Sequence, residues 1–451
     1  MKIQKLTFLP VVVLVNLTLV IGTSCSQSKR IAESYQKYNY EADFSALHQP
    51  EVRFAEMSPE EIRAFEIRVM RDIADLALVP PKLNVSPLPE YDYDQLDYGM
   101  TVSIERTPKG RLWAVWVAGE DGPKAFMVAN TSDDNGENWS KPRLVIDSQS
   151  ENLPRHRSII VGNLWTDPRG RLWFFFDQTM EHFDGRGGLW ASVCENPDEE
   201  DPQWSAPRRI WHGSMLNKPL VLSTGEWLLP VQLLEHNKGY GPFDGIFPEL
   251  DPYRGANVFI SKDEGASFSR LSKVRFPEPN WYEHMLVERK DGTLWMLART
   301  RNGIMESVSH DHGLTWSAPV NSAIKHPVAR FHIRRVNSGR LLLIKHGETI
   351  DSYGPGRGRS MLTAWLSNDD GKTWEGGLML DERDHISYPD ATQAPDGTIF
   401  VSYDRERSQL GEVLMARITE EDILSGRIVS EGSKLKLLIS KPMNKGMPDR
   451  E

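Results

Sequence analysis

Six times along this chain a short polar turn holding one glycine runs straight into an apolar or aromatic stretch. The turns are Lys109-Gly110-Arg111 before Leu112-Trp113, Arg169-Gly170-Arg171 before Leu172-Trp173, Thr224-Gly225-Glu226 before Trp227-Leu228, Asp291-Gly292-Thr293 before Leu294-Trp295, Ser338-Gly339-Arg340 before Leu341-Leu342, and Asp396-Gly397-Thr398 before Ile399-Phe400. Successive glycines lie 60, 55, 67, 47 and 58 residues apart. A period of that size marks a repeat architecture. Each unit reads as two β-strands closed by a tight turn, because glycine supplies the positive φ such a turn needs. Only one stretch follows the helical period instead. Ile62, Phe65, Val69, Ile73 and Leu76 place one apolar face on a helix that Ser58-Pro59-Glu60-Glu61 starts and Pro80-Pro81 stops. It is expected to pack on the outside of the repeat array. A short helix is also predicted from Thr419-Glu420-Glu421-Asp422, after a strand over Glu412–Ile418.

A second pattern runs out of phase with the glycine turns. Ser132, Asp134, Gly136 and Trp139 spell S-x-D-x-G-x-x-W. The pattern returns at Ser309, Asp311, Gly313 and Trp316, and at Ser367, Asp369, Gly371 and Trp374. Ser261, Asp263, Gly265 and Phe268 form a weaker copy. The Asp carboxylate can accept from backbone N–H groups of its own turn, and the aromatic ring can fill the gap between two strands. A calcium loop is the alternative. An EF-hand needs Gly at its sixth position and Glu at its twelfth, and these turns have neither.

These repeated turns resemble the Asp boxes of the sialidase (neuraminidase) superfamily. The resemblance covers roughly residues 95–440 and implies an all-β fold, a six-bladed β-propeller with four antiparallel strands per blade and one appended N-terminal helix. Six glycine turns fit six blades.

Composition narrows the setting. Among 451 residues, 63 are acidic and 53 basic, and no Lys/Arg run or motif points to nucleic acid. Residues 1–24 read as an export signal: Lys2 and Lys5, an apolar run from Leu6 to Ile21, then small residues. Cys25 follows them and resembles the lipidated first residue of a bacterial lipoprotein, although Gly22 stands where Leu is usual. Ordinary cleavage beside an incidental cysteine is the alternative. The lipoprotein reading implies an exported protein, periplasmic or on the cell surface of a Gram-negative-type bacterium. Its only membrane attachment is then the N-terminal lipid anchor, because no later apolar run is long enough to span a bilayer. The remaining Cys194 reads as a small buried hydrophobe. The expected organisation is a signal peptide over 1–24, a lipidated tether and helix over 25–90, the propeller over 91–440, and a polar tail over 441–451. No cofactor is expected, and no cluster has the spacing of a metal site.

The resemblance also implies a site. A sialidase needs arginines that grip a carboxylate, a tyrosine nucleophile, a glutamate that takes the tyrosine proton, and an acid for the leaving oxygen. The stretch from Glu283 to Arg299, with a D-G turn between them and an Asp box beginning at Ser309, matches the family's segment that opens with the glutamate and closes with an arginine. Arg359, eight residues before the Asp box at Ser367, matches a second carboxylate-binding arginine, and Arg357 is a neighbour that could do the same job. Tyr388 precedes the turn at Gly397 by the spacing of the family's nucleophile. Asp121, between the first hairpin and the first Asp box, matches the acid. Taken alone, each of these is also what a solvated loop or a packing ring looks like. One departure is plain: Met100 stands where the family's first-blade Arg-Ile-Pro motif puts an arginine. Arg155-His156-Arg157 is a compact basic triplet that could fill the gap, with His156 as a base between two cations; a surface loop is the alternative.

The implied activity is an exo-acting glycoside hydrolase of sialidase type, with a glycan as partner, releasing a terminal acidic or uronate-linked sugar. Two other readings stay open on the sequence. One is a propeller polysaccharide lyase or rhamnosidase-like enzyme on uronate-containing glycans. The other is a surface glycan-binding protein without chemistry.

Overall fold

Every glycine turn closes a hairpin between the first and second strands of a four-stranded antiparallel sheet, and there are six such sheets. This arrangement comes from a computed structural model that describes residues 57–92, 95–235 and 241–441. The signal segment, Cys25 and most of the tether and tail therefore lie outside the described residues. Each sheet is one blade and is cut from a single continuous stretch of chain. First strands touch between blades one and two, three and four, four and five, and five and six. Asn163 of blade two donates to Met215 O and Asn217 O at the entry to blade three. The first strands of blades six and one touch each other, which closes the ring. The result is a six-bladed β-propeller.

The meander decides which residues can meet. Within a blade, the turn from first to second strand and the turn from third to fourth strand lie at one face. The start of the first strand, the end of the second and the start of the third lie at the other. The glycine turns and Asp boxes occupy the first face. The second face receives the loops between second and third strands.

The Asp boxes behave as local physics requires. In the turn after Ser309, Asp311 Oδ1 accepts from Ser309 Oγ and from Thr315 N, each at 2.8 Å. The turns at Asp134, Asp263 and Asp369 repeat this. Hydrogen bonds from Thr315 and Ser309 pull the Asp311 carboxyl down to about 2. The box glycine is wedged against the preceding blade: a Cβ on Gly371 would lie 2.6 Å from the Trp295 ring, and one on Gly265 2.6 Å from Trp173. Each box therefore locks its own turn and seats its blade on the one before.

Where the first strands converge, the ring is filled by charge. Asp390 (1% exposed) lies 3.0 Å from Lys218 Nζ, 3.4 Å from Arg330 Nη2 and 3.3 Å from His332 Nδ1. It also accepts from Ser103 Oγ at 2.6 Å and Ile104 N at 3.0 Å. Lys218 reaches Glu105 at 2.8 Å. Burial opposes the Asp390 charge, but Lys218, His332 and Arg330 outweigh it and hold the carboxyl well below the usual carboxylate range. Blades one, three, five and six are thus joined through one carboxylate and its neighbours.

The long helix is as expected. Helix α1 (Pro59–Asp75) starts with a capping box of Ser58 and Glu61 and buries Val69, Met70 and Ile73. It packs on the loops that follow the second strands of blades two and three, with Arg71 donating to Ile246 O and Arg186 to Ala74 O. It therefore sits at the same face as those loops. Helix α2 (Glu420–Ser425) follows the strand Glu412–Ile418, as the pattern predicts. Cys194 is buried, and burial pushes its thiol up to about 11.

Candidate active site

At the loop face a cavity of about 130 Å³ is lined by Asp121, Glu283, Arg299, Arg359 and Tyr388, which come from blades one, four, five and six. The meander explains this. Glu283 and Tyr388 stand at the starts of first strands, Arg299 at the end of a second strand, Asp121 after a second strand, and Arg359 before a third. Residues far apart in sequence converge because those strand ends all open on one face.

The central contact is short. Tyr388 OH donates to Glu283 Oε1 at 2.9 Å, and Arg299 Nη1 donates to the same oxygen at 2.8 Å. Glu283 (4% exposed) and Arg299 (6% exposed) are both buried, so this polar cluster is shielded from water. Burial and then the Glu283 charge push the Tyr388 hydroxyl up to about 12, while Arg299 and Arg407 pull the other way. For Arg299, burial disfavours the charge, but Glu283 and Tyr388 more than offset it, so the guanidinium stays ionised.

Backbone strain marks the same residues. Trp281, Tyr282 and Glu283 have φ of 58°, 36° and 42°, and Tyr388 has 51°. Left-handed backbone is costly for residues with a Cβ and collects at sites where the surroundings over-determine it. Here Arg299 N donates to Tyr282 O at 2.7 Å, Asn217 Nδ2 to Glu283 O at 2.7 Å, and Glu283 N to Gln232 Oε1 at 3.2 Å. Tyr388 lies at an irregularity in the ladder between Ser387 and Asp390, which turns its ring toward the cavity. Pro389 fits there because the bulge needs no ladder N–H.

Arg359 is the cation without an anion. Its Nη1 donates to Ser387 Oγ at 2.9 Å and its Nη2 to Val328 O at 3.3 Å. Among the described residues no carboxylate forms an ion pair with it. Burial, then repulsion from Arg407, lowers its pKa. The site is thus set to accept a negative charge.

The basic triplet is elsewhere. Arg155 pairs with Glu181 at 3.2 Å, His156 Nδ1 lies 3.0 Å from Gln149 Oε1, and Arg157 donates to Ser148 O and Leu76 O. None of the three lines the cavity. The short ladder of Arg157–Ser158 with Thr179–Met180 fixes the segment away from the cavity, and there Arg157 holds the end of α1 while Glu181 and Gln149 engage Arg155 and His156. Met100 does line the cavity, where the first-blade arginine was found missing.

Three further lining residues escaped the sequence reading. Arg407 follows the second strand of blade six; its Nε donates to Asp404 Oδ1 at 2.8 Å and its guanidinium lies 4.1 Å from the Tyr388 ring centroid. Trp281 and His182 stack at 5.2 Å and form an aromatic wall. The rule that second-strand ends face the site could have found Arg407; nothing in the local sequence marks the other two.

Residues 110–401 match the BNR repeat-like domain. No curated protein matches the chain. Among solved structures, an intramolecular trans-sialidase from Ruminococcus gnavus superposes with a TM-score of 0.57 at 14% identity, covering 76% of this chain and 98% of that one. The Hadza microbial sialidase Hz136 gives 0.55 at 18% identity, covering 73% of this chain and 67% of that one. The leech intramolecular trans-sialidase gives 0.54 at 15% identity, over 76% and 70% of the two chains. At these identities the likeness is one of fold.

Proposed function

The chain belongs to the BNR repeat-like domain family within the sialidase-like superfamily, and from that premise we propose that it is an exo-acting glycoside hydrolase releasing a terminal sugar that carries a carboxylate. The observation that carries this reading is the Tyr388–Glu283 hydrogen bond of 2.9 Å inside a cavity that also holds Arg299 and Arg359.

A phenol is a poor nucleophile at its ordinary pKa, and burial makes Tyr388 a weaker acid still. It needs a base in contact, and Glu283 is that base. In the first step the Tyr388 oxygen bonds to the anomeric carbon while its proton passes to Glu283 Oε1. The bond to the leaving oxygen breaks, and that oxygen takes a proton from Asp121. In the second step water replaces Tyr388 at the anomeric carbon and gives its proton to Asp121. Tyr388 recovers its own proton from Glu283. Two displacements retain the configuration. Arg359 and Arg299 hold the substrate carboxylate, and the wall of Trp281 and His182 takes the apolar face of a sugar ring.

The test is a screen of the purified protein against sialylated and uronate-bearing glycans, with released monosaccharides read by mass spectrometry. Tyr388→Phe is expected to abolish release. Full activity in that variant ends the mechanism, and an unsaturated product absorbing in the ultraviolet would identify a lyase instead.

A further inference from the structure

The cavity has one guanidinium more than the sequence assigned to it. Arg407 lines it together with Arg299 and Arg359. It enters from blade six, just after the strand Ile399–Arg405, and crosses the Tyr388 ring at 4.1 Å. Asp404 fixes its Nε at 2.8 Å, and Thr101 N in turn holds Asp404 at 3.1 Å. Its Nη1 forms a long ion pair with the exposed Asp121 carboxylate, 3.5 Å from Oδ2. Its Nη2 is buried and has no hydrogen-bond partner. A guanidinium held at Nε, only loosely paired at Nη1 and unsatisfied at Nη2 is prepared for a further acceptor oxygen. Beside it, Met100 offers no charge at all: Gly99 N donates to Arg407 O at 3.0 Å, so the two residues adjoin on neighbouring blades.

We propose that Arg407 is the third carboxylate-binding arginine of this site, supplied by blade six where blade one carries Met100. This rests on the hydrolase reading for its substrate class, a monosaccharide carboxylate. Because the same guanidinium lies on the Tyr388 ring and beside Asp121, it ties the bound carboxylate to the nucleophile and the acid. The three arginines then approach the anion from blades four, five and six.

The experiment uses the full chain, with calorimetric binding of N-acetylneuraminate and D-glucuronate, each against its uncharged methyl ester. The variants are Arg407→Lys, which keeps charge but not the fork, and Arg407→Gln combined with Asp404→Asn, which leaves no unpaired buried carboxylate. Thermal unfolding checks the fold, and Arg407→Lys carries the test if the double variant does not fold. The wild type is expected to prefer one acid over its ester, and the variants to weaken that acid about 10- to 100-fold with little change for the ester. Retained preference in folded variants overturns the role of Arg407; if Tyr388→Phe is inactive in the same preparation, the hydrolase reading survives it. Lost preference together with an active Tyr388→Phe leaves Arg407 in place and removes the nucleophile. A wild type that binds acid and ester alike overturns the assignment of Arg407 whatever the hydrolysis assay reads.

Discussion

Glu283 Oε1 accepts from Tyr388 and Arg299 at once, so its chemistry can be separated from its packing by a single change. Glu283→Gln keeps an oxygen to accept one of these hydrogen bonds but cannot take the phenol proton. Loss of a positioned base typically costs about 10²–10⁴-fold in rate. The expected outcome is a fall in kcat of that size on whichever acidic sugar the protein cleaves, with KM changed far less and a native thermal unfolding curve. A variant at wild-type kcat contradicts the role of base. Glu283, Arg299, Arg359, Tyr388 and Asp121 were legible because each stands at a fixed distance from a glycine turn or an Asp box, and the turns themselves are legible. Arg407 was not, because Asp404-Arg405-Glu406-Arg407 reads as a solvated charge run until the ring brings it over Tyr388. Arg155-His156-Arg157 misled for the opposite reason. A basic triplet before a strand looks like a ligand cradle, and its partners, Glu181, Gln149 and the Leu76 and Ser148 carbonyls, carry no signature in sequence.

The Asp box is the element that turns sequence into blade packing, and its two jobs can be measured apart. Gly371 has φ of 88° and faces Trp295 of the preceding blade, while Gly292 has φ of 81° and open space around it. Alanine at Gly292 costs only the left-handed backbone, about 1–2 kcal/mol. Alanine at Gly371 adds a clash, about 1–3 kcal/mol more. Urea unfolding of the two variants is expected to rank them in that order, and equal midpoints would falsify the wedge between blades. The acid limb tests the carboxylate. Asp311 and Asp369 are pulled down to about 2 by hydrogen bonds within their own turns, from Thr315 and Thr373 first. A carboxyl lowered in the folded state contributes stability above its unfolded pKa of about 3.9, and that contribution is lost as pH falls toward 2. The melting temperature of the wild type should therefore drop between pH 4 and pH 2. Asp311→Asn should melt lower at pH 6 and converge on the wild type at pH 2; parallel curves would show that this carboxylate does not stabilise its turn.

At the scale of the whole ring, closure is the problem the chain has to solve. Among the described residues every blade is a continuous segment, and no strand is exchanged between the two ends of the propeller to latch it. The contact between the first strands of blades six and one does that work instead, and Asp390 sits in it, bonded to Ser103 and Ile104 of blade one. Lys218 of blade three and Arg330 of blade five converge on the same carboxylate. A buried charge is tolerated only while its partners remain, and removing one partner of a buried pair costs about 3–5 kcal/mol. Asp390→Ala is therefore expected to lower the unfolding free energy by about that amount in urea. Because Asp390 is two residues from Tyr388 on the same strand, it should also reduce activity. Glu105→Gln separates the two effects, since it weakens the far end of the Lys218 pair but keeps an oxygen for the hydrogen bond that Thr392, on the strand of the nucleophile, donates at 3.2 Å. If the buried charges latch the ring, Glu105→Gln destabilises less than Asp390→Ala but leaves the pocket's affinity for an acidic sugar intact. An Asp390→Ala protein that unfolds at the wild-type urea midpoint would mean that apolar contacts between blades six and one close the ring unaided.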